Sequence, residues 1–311
     1  MKPLMYHYVR PRAPSLPHFP YLSLSDFERQ LDYFAETYGF VGRDEFEQWV
    51  GGGPVPRGVL LTFDDGLRDH IDFVLPVLSG RGLFGLFYVP SGPILTSGLL
   101  DVHKVHLAVG RLGGAAVLQW LETQVPEILP PVDTRNAATS HYAGQRSDDA
   151  TKFVKHLFNW QLSAEERGAA LDAVLEHAFA GATISWRDFY LDEDGVRALA
   201  DAGMGVGPHS HRHGLLSRLS RKQEMEEIEL SCTLLESFGG SRLWGYCYPY
   251  GSPEAFTGRT QQAVAKAGCP FAFAVAARDI EAPLARSARY ALPRYNCNAF
   301  PHGLASFDEA T

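Results

Sequence analysis

The chain has no apolar run approaching the roughly 18–20 residues of a membrane-spanning helix, which argues against a bilayer-embedded protein. Its opening, MKPLMYHYVRP, breaks into polar residues and prolines before an apolar stretch of signal-peptide length can form. The expected location is therefore the cytoplasm. Cysteine is scarce: Cys232, Cys247, Cys269 and Cys297 are the four thiols in 311 residues. None belongs to a CxxC pair or a dense framework, which fits a reducing compartment. Positive charge is in deficit as well. The net charge of −8 leaves no basic footprint for nucleic acid or an anionic membrane. There is no GxSxG elbow and no cysteine in a recognisable activating context, so serine and cysteine nucleophile chemistry has little support. Internal repeats, low-complexity tracts and charge blocks are missing too.

What is present is a globular sequence with ample core material. Its length exceeds the usual domain size, so one large α/β barrel or two domains both fit. Pro3–Val9 reads as a first strand. Ser25 looks like the cap of a helix carrying Phe27, Leu31 and Phe34, and a second helix runs from Arg43 to Val50. Gly58–Phe63 and Gly82–Val89 are apolar runs of strand length, separated by a helix from about Leu67. From Gly92 to Asp188 strands vanish, and Leu99–Leu121, Asp148–Asn159 and Ala164–Ala180 read as helices. This block is expected to be a helical insertion (92–188) within a single domain spanning 1–311, covering or flanking the site. Alternation then resumes: helix Asp192–Ala202, strand Met204–Gly207, helix Leu219–Phe238 with acidic Glu224, Glu226 and Glu227 near its start, and strand Leu243–Tyr248. Helix Pro253–Gly268 and strands Phe271–Ala276 and Tyr290–Tyr295 complete it. Strands alternating with helices predict parallel β/α units, here a distorted (β/α) barrel of about seven strands.

Two stretches carry the chemistry. Leu60-Leu61-Thr62-Phe63 ends in Asp64-Asp65-Gly66, which places two adjacent carboxylates at the C-terminal end of a buried strand, where sites form. Adjacent carboxylates repel unless a cation or hydrogen bonds offset the cost. DDG alone would serve equally well as a turn capping the next helix, but the strand before it aims the pair out of the core. Further on, His209-Ser210-His211-Arg212-His213 follows a strand through Gly205 and Gly207. A lone histidine is more often packed or solvated. Three in five residues argue for ligation, and on a helical turn His209 and His213 would share a face and a metal. His211 points off that face and is assigned a supporting place. One carboxylate and two imidazoles leave coordination positions open, which marks a catalytic site. Zinc suits these ligands, and cobalt or nickel would also fit. Such an ion activates water and polarises a carbonyl, and the spare aspartate is placed to take the water's proton. A third element, Tyr246-Cys247-Tyr248-Pro249-Tyr250-Gly251, is weak alone. Its functional reading is a pocket wall, with the Tyr250 backbone N–H donating to an oxyanion.

TFDDG, then H-S-x-x-H, then a YPYG turn, in that order, resemble the first three motifs of the polysaccharide deacetylases, the NodB-homology carbohydrate esterases. The likeness covers Pro3 to about Gly92 and Asp188 to about Asn298, and LMYHYV and LPRYN resemble strands of intracellular-type members. It implies a metal held by Asp65, His209 and His213, with Asp64 as base. It also implies that Tyr250, beside Pro249, is the oxyanion donor and pocket wall. Where many members have an arginine in the third motif this chain has Cys247, so the arginine brace on the catalytic aspartate is expected to be missing. The late Leu-x-His motif, whose histidine is the acid, is not evident. His302 in Phe300-Pro301-His302-Gly303 does not match it, which leaves His7 and His211 as other candidates. His103 and His106 share a helical face in the insertion, where a solvated face is favoured over lining a substrate entrance, and both over a second metal site.

The expected activity is removal of an N-acyl group, acetyl before others, from an amino sugar or glycoconjugate precursor. One alternative is a hydrolase of non-sugar amides or cyclic ureides on the same scaffold. Another is a non-catalytic carbohydrate-binding relative, against which the intact Asp64 argues. Nothing in the sequence assigns an oligomeric state.

Overall fold

In the computed structural model, residues 1–131, 142, 146–180, 182, 184–239 and 243–308 are described. Parts of the expected insertion and of the link after the long helix therefore lie outside the described residues. The chain divides into two compact units.

The first unit comprises Met1–Pro11, Leu22–Gly98 and Trp186–Leu304. Nine short strands are described: β1 Lys2–Tyr6, β2 Val9–Arg10, β3 Leu22–Ser23, β4 Val59–Phe63, β5 Gly85–Val89, β6 Gly205–Pro208, β7 Tyr246–Cys247, β8 Ala272–Phe273 and β9 Tyr295–Asn296. Five form a parallel sheet in the order β6-β5-β4-β1-β9, and β7 pairs parallel with β8. Backbone bonds carry the ring onward. Trp244 N–H donates to the Val206 carbonyl at 3.2 Å, linking the chain before β7 to β6. On the other side Leu292 exchanges bonds of 2.8 Å with Ala272 and Ala274, and this segment continues into β9 beside β1. The result is a distorted barrel of seven staves, with β2 and β3 forming a separate pair. β4 and β5 are buried along their whole length, as strands covered on both faces must be. That is why VLLTF and GLFYV read as unbroken apolar runs.

Most sequence-predicted elements are found, with shifted ends. The first helix, Leu24–Thr37, is capped by Ser23 rather than Ser25, its hydroxyl accepting from Asp26 N–H. Ser23 precedes the first helical residue, so only its side chain can turn back onto the first-turn donors. Phe27, Leu31 and Phe34 are buried as the periodicity requires. The segment after Asp65 opens not as an ordinary helix from Leu67 but as a π-helical turn, His70–Val74, followed by Leu75–Gly80.

The second unit comprises Arg12–Tyr21, Leu99–Ser185 and Ala305–Thr311. Its described residues include helices Asp101–Leu112, Gly114–Gln124, Asp149–His156 and Ala164–Phe179. The single helix expected over Leu99–Leu121 is broken at Gly113, whose φ of +83° ends one helix and starts the next. Val105, Val109, Leu121, Val154, Leu171 and Val174 form its core. Arg167 and Lys104 reach Asp101 and Asp172 at 2.8 and 2.6 Å. Among the described residues no helix is long and apolar enough to cross a membrane.

Candidate metal centre and its acid-base residues

The strand order brings the two motifs together. β4 and β6 flank β5, so their C-terminal ends stand about 10 Å apart, two strand spacings, within reach of inward-leaning side chains. The ladders run past the strand ends: Asp64 N–H donates to Tyr6 and His209 N–H to Val89, at 2.9 and 3.1 Å. Asp65 Oδ1 lies 3.4 Å from His209 Nε2 and 3.2 Å from His213 Nε2. All three residues are buried. Ligand atoms held about 2.0–2.2 Å from a tetrahedral ion lie about 3.3 Å apart, so this spacing fits a zinc-like cation. The tautomer fits as well. His209 Nδ1 contacts the Cys247 carbonyl at 2.9 Å; donating its proton there leaves the Nε2 lone pair facing Asp65. Burial works against protonation of His209, but Cys247, Asp65 and Asp64 together hold its pKa well above the ordinary histidine value. A field that holds a proton so firmly also favours a cation in its place.

The histidines are not on a helical turn. Residues 209–215 form an irregular loop, in which Ser210 and His213 adopt φ of +64° and +56°. The two imidazoles do come together, but not by the helical i, i+4 spacing the sequence suggested. What brings the two imidazoles together, ring centroids 4.8 Å apart, is a left-handed backbone step at each end of the turn. Asp65 (φ +75°) and Tyr250 (φ +61°) share this conformation. Each such step costs a non-glycine residue on the order of 1–2 kcal/mol. Four of the seven described residues in this class are at this one site, as a strained functional loop requires. Two glycines complete it. A Cβ on Gly66 (φ +57°) would meet Val89 Cγ1 at 2.8 Å, and one on Gly251 (φ +65°) would meet Val275 Cγ2 at 2.6 Å.

Asp64 stands beside the triad, buried, and its arginine brace is present after all. Arg294, fully enclosed just before β9, forks onto it: Nη1 to Oδ1 and Nη2 to Oδ2, both 2.7 Å. Nη1 also donates to Thr62 Oγ1 at 2.8 Å, and Nη2 lies 2.9 Å from Cys247 Sγ. Burial alone would raise the Asp64 pKa, but the Arg294 charge and hydrogen bonds more than offset it and leave it at about 2. The expectation of a missing brace is thus corrected. The guanidinium arrives from outside the third motif, from the segment just before β9. The signal was in view as the arginine of LPRYN, but only the barrel closure places it under Asp64.

His7, in the step between β1 and β2, lies with Nε2 3.9 Å from Asp65 Oδ2. Its side chain is 37% exposed, against 2% and 6% for His209 and His213, so it is the imidazole of this group open to a substrate. His70, packed between Phe63 and Phe87, contacts the His7 carbonyl through Nε2 at 3.2 Å. Burial lowers the His70 pKa to about 4, so at neutral pH it is uncharged and can donate that bond. His211 is buried, with Nδ1 2.9 Å from Ser91 Oγ, which ties it to the loop after β5. Tyr250 sits with its ring 5.1 Å from that of His213, in the turn where Gly251 N–H donates to the Pro249 carbonyl at 2.7 Å. His302 is half-buried in a segment whose Pro301 carbonyl accepts from Gln30 Nε2 at 2.8 Å. His103 and His106 have ring centroids 5.9 Å apart, and neither belongs to a metal-competent cluster among the described residues.

The comparisons agree with this geometry. A sequence model described as polysaccharide deacetylase matches residues 125–272, a span that includes His209, His213 and Tyr250. Over that span the chain is similar to the polysaccharide deacetylases. The match begins after Asp64 and Asp65, so it is the fold that joins them to the histidines. No curated protein matches the chain in sequence. Solved structures share its fold. The Streptococcus pyogenes deacetylase PplD, determined in complex with acetate, is 15% identical with a TM-score of 0.57, covering 95% of this chain and 91% of its own. The BpsB deacetylase domain from Bordetella bronchiseptica is 16% identical with a TM-score of 0.55, covering 95% of both chains. IcaB from Ammonifex degensii is 18% identical with a TM-score of 0.52, covering 95% and 90%. The chain therefore shares the fold of these deacetylases, a parallel β/α barrel.

Proposed function

We propose that the chain is a metal-dependent hydrolase that removes an acetyl group from the nitrogen of an amino sugar in a carbohydrate or glycoconjugate precursor. The observation that carries this reading is the convergence of Asp65, His209 and His213 with Asp64 at its side. Asp65, His209 and His213 would hold a divalent ion, zinc before cobalt or nickel, which supplies a Lewis acid and lowers the pKa of water. Asp64, fixed by Arg294, takes the proton of the attacking water. The Tyr250 N–H donates to the oxygen that becomes negative as the amide carbonyl is attacked, and Pro249 helps wall the pocket. His7 hands a proton to the departing amine.

The direct test measures acetate release from N-acetylated amino sugars and short oligomers, with bound metal quantified alongside. Chelation is expected to abolish turnover, and zinc or cobalt to restore it. Turnover persisting in protein shown to be metal-free would sink the reading. Release from non-sugar amides or cyclic ureides alone would move the substrate class. The role of His7 has its own signature. His7→Ala is expected to lower kcat on acetylated amino sugars about 10²-fold. Hydrolysis of 4-nitrophenyl acetate, whose leaving group departs without a proton, should fall far less. Equal losses on both substrates would remove His7 as the acid.

A further inference from the structure

Glu227 has no place in the reaction described above, yet it is buried directly beneath the histidine loop. It lies on the helix Arg221–Gly239. One of its oxygens, Oε2, gathers three donors from that loop: Ser210 Oγ at 2.9 Å, His211 N–H at 3.0 Å and Arg212 N–H at 2.7 Å. The Ser210 hydroxyl in turn accepts from His213 N–H at 3.2 Å. A continuous chain of hydrogen bonds therefore runs from the carboxylate to the backbone of the second imidazole. The opposite side of the turn is held separately, because the Ser210 and His211 carbonyls accept from Ser91 and Gly92 N–H at 3.1 and 2.8 Å. Glu227 thus serves the donors and the loop after β5 serves the acceptors. The helix is itself fastened one turn earlier: Glu224 accepts from Thr260 Oγ1 at 2.5 Å and from Arg259 Nε at 2.6 Å. The carboxylate is therefore presented from a fixed element.

We propose that Glu227 is a positioning residue for the metal centre, whose carboxylate holds the left-handed Ser210–His213 turn in the one shape that aims His209 and His213 at a common cation. This rests on the metal-site reading above. A charged acceptor suits the task, since bonds from N–H and O–H to a carboxylate are stronger than to a neutral oxygen. Without it, the His211 and Arg212 N–H groups lose their acceptor and the turn is free to relax to ordinary φ values. Arg212 also reaches Oε1 at 3.3 Å, but its side chain is 74% exposed, so that ion pair contributes little.

The experiment compares zinc dissociation constants by competition with a chromophoric chelator, and the zinc-induced rise in unfolding temperature, for wild type, Glu227→Ala, Glu227→Gln and Arg212→Ala. Glu227→Ala is expected to weaken zinc binding about 10–100-fold, the usual effect of removing a support behind metal ligands. Glu227→Gln keeps an acceptor oxygen and should recover much of that loss, while Arg212→Ala should match wild type. Should Glu227→Ala fail to fold, Ser210→Ala removes only the relay hydroxyl and is expected to weaken zinc several-fold. Zinc affinity unchanged in Glu227→Ala, or in Ser210→Ala where that variant stands in for it, overturns the positioning role and leaves the metal site intact. A wild-type protein that takes up no zinc, cobalt or nickel overturns the metal reading and this role with it.

Discussion

Arg294→Met is expected to lower the unfolding temperature by on the order of 10 °C and to abolish turnover. The reasoning starts from the Asp64 carboxylate, which is buried with both oxygens on the guanidinium. Breaking a buried pair from one side strands the other charge and costs about 3–5 kcal/mol. For a unit of roughly this size that is about 6–20 °C. The pH dependence has a definite sign. In the native protein burial raises the Asp64 pKa but Arg294 lowers it by more, to about 2 against the ordinary 3.8. A depressed carboxylate stabilises the fold above its unfolded value and loses that contribution as pH falls from 3.8 through 2. The contribution is about 2–3 kcal/mol. In Arg294→Met burial loses its main counterweight, so Asp64 takes up a proton at higher pH and stability should fall off earlier on acidification. The double variant Arg294→Met/Asp64→Asn removes both charges and is expected to recover part of the lost stability, though not the activity. If Arg294→Met unfolds like the wild type, Arg294 is not the partner that keeps Asp64 charged.

The features legible in the sequence were those carried by contiguous residues. LLTFDDG announces a buried strand ending in carboxylates because a strand covered on both faces must be apolar throughout and its end opens onto the site. The alternation of strands and helices gave the barrel for a similar reason. Arg294 was not legible as the brace, since its partner stands 230 residues away and only the hydrogen bonds from Leu292 to β8 and from β9 to β1 bring the two together. Glu227 read as one of several acids near a helix start. Acids of that kind normally face solvent, and nothing local distinguishes the one that turns inward onto another loop. The histidine pair shows how spacing can mislead. His209 and His213 do converge, but through a loop with two left-handed residues, and positive φ at Ser210 and His213 is not something a spacing rule for helices detects. The start of the first helix moved by two residues because its capping side chain, Ser23, lies outside the helix itself.

Asp64→Asn is expected to separate metal binding from catalysis. On the proposed reading the ligand atoms are those of Asp65, His209 and His213, with none from Asp64, so the variant should bind zinc with near wild-type stoichiometry. Its amide oxygen can still accept from Arg294, which limits the structural change, although the buried guanidinium loses its counter-charge and some stability goes with it. What the variant cannot do is accept a proton from water. A positioned general base contributes about 10²–10⁴-fold, so acetate release should drop by at least two orders of magnitude in kcat, with a much smaller change in KM. The alternative arrangement is also specific. Asp64, His209 and Cys247 place three ligand-type atoms within 4.8 Å of one another, so a cation seated there would need Asp64 as a ligand. In that case Asp64→Asn would lose metal and activity together. Elemental analysis of the purified variant decides between them. Full metal content with lost turnover assigns Asp64 the proton, whereas an empty variant makes it a ligand.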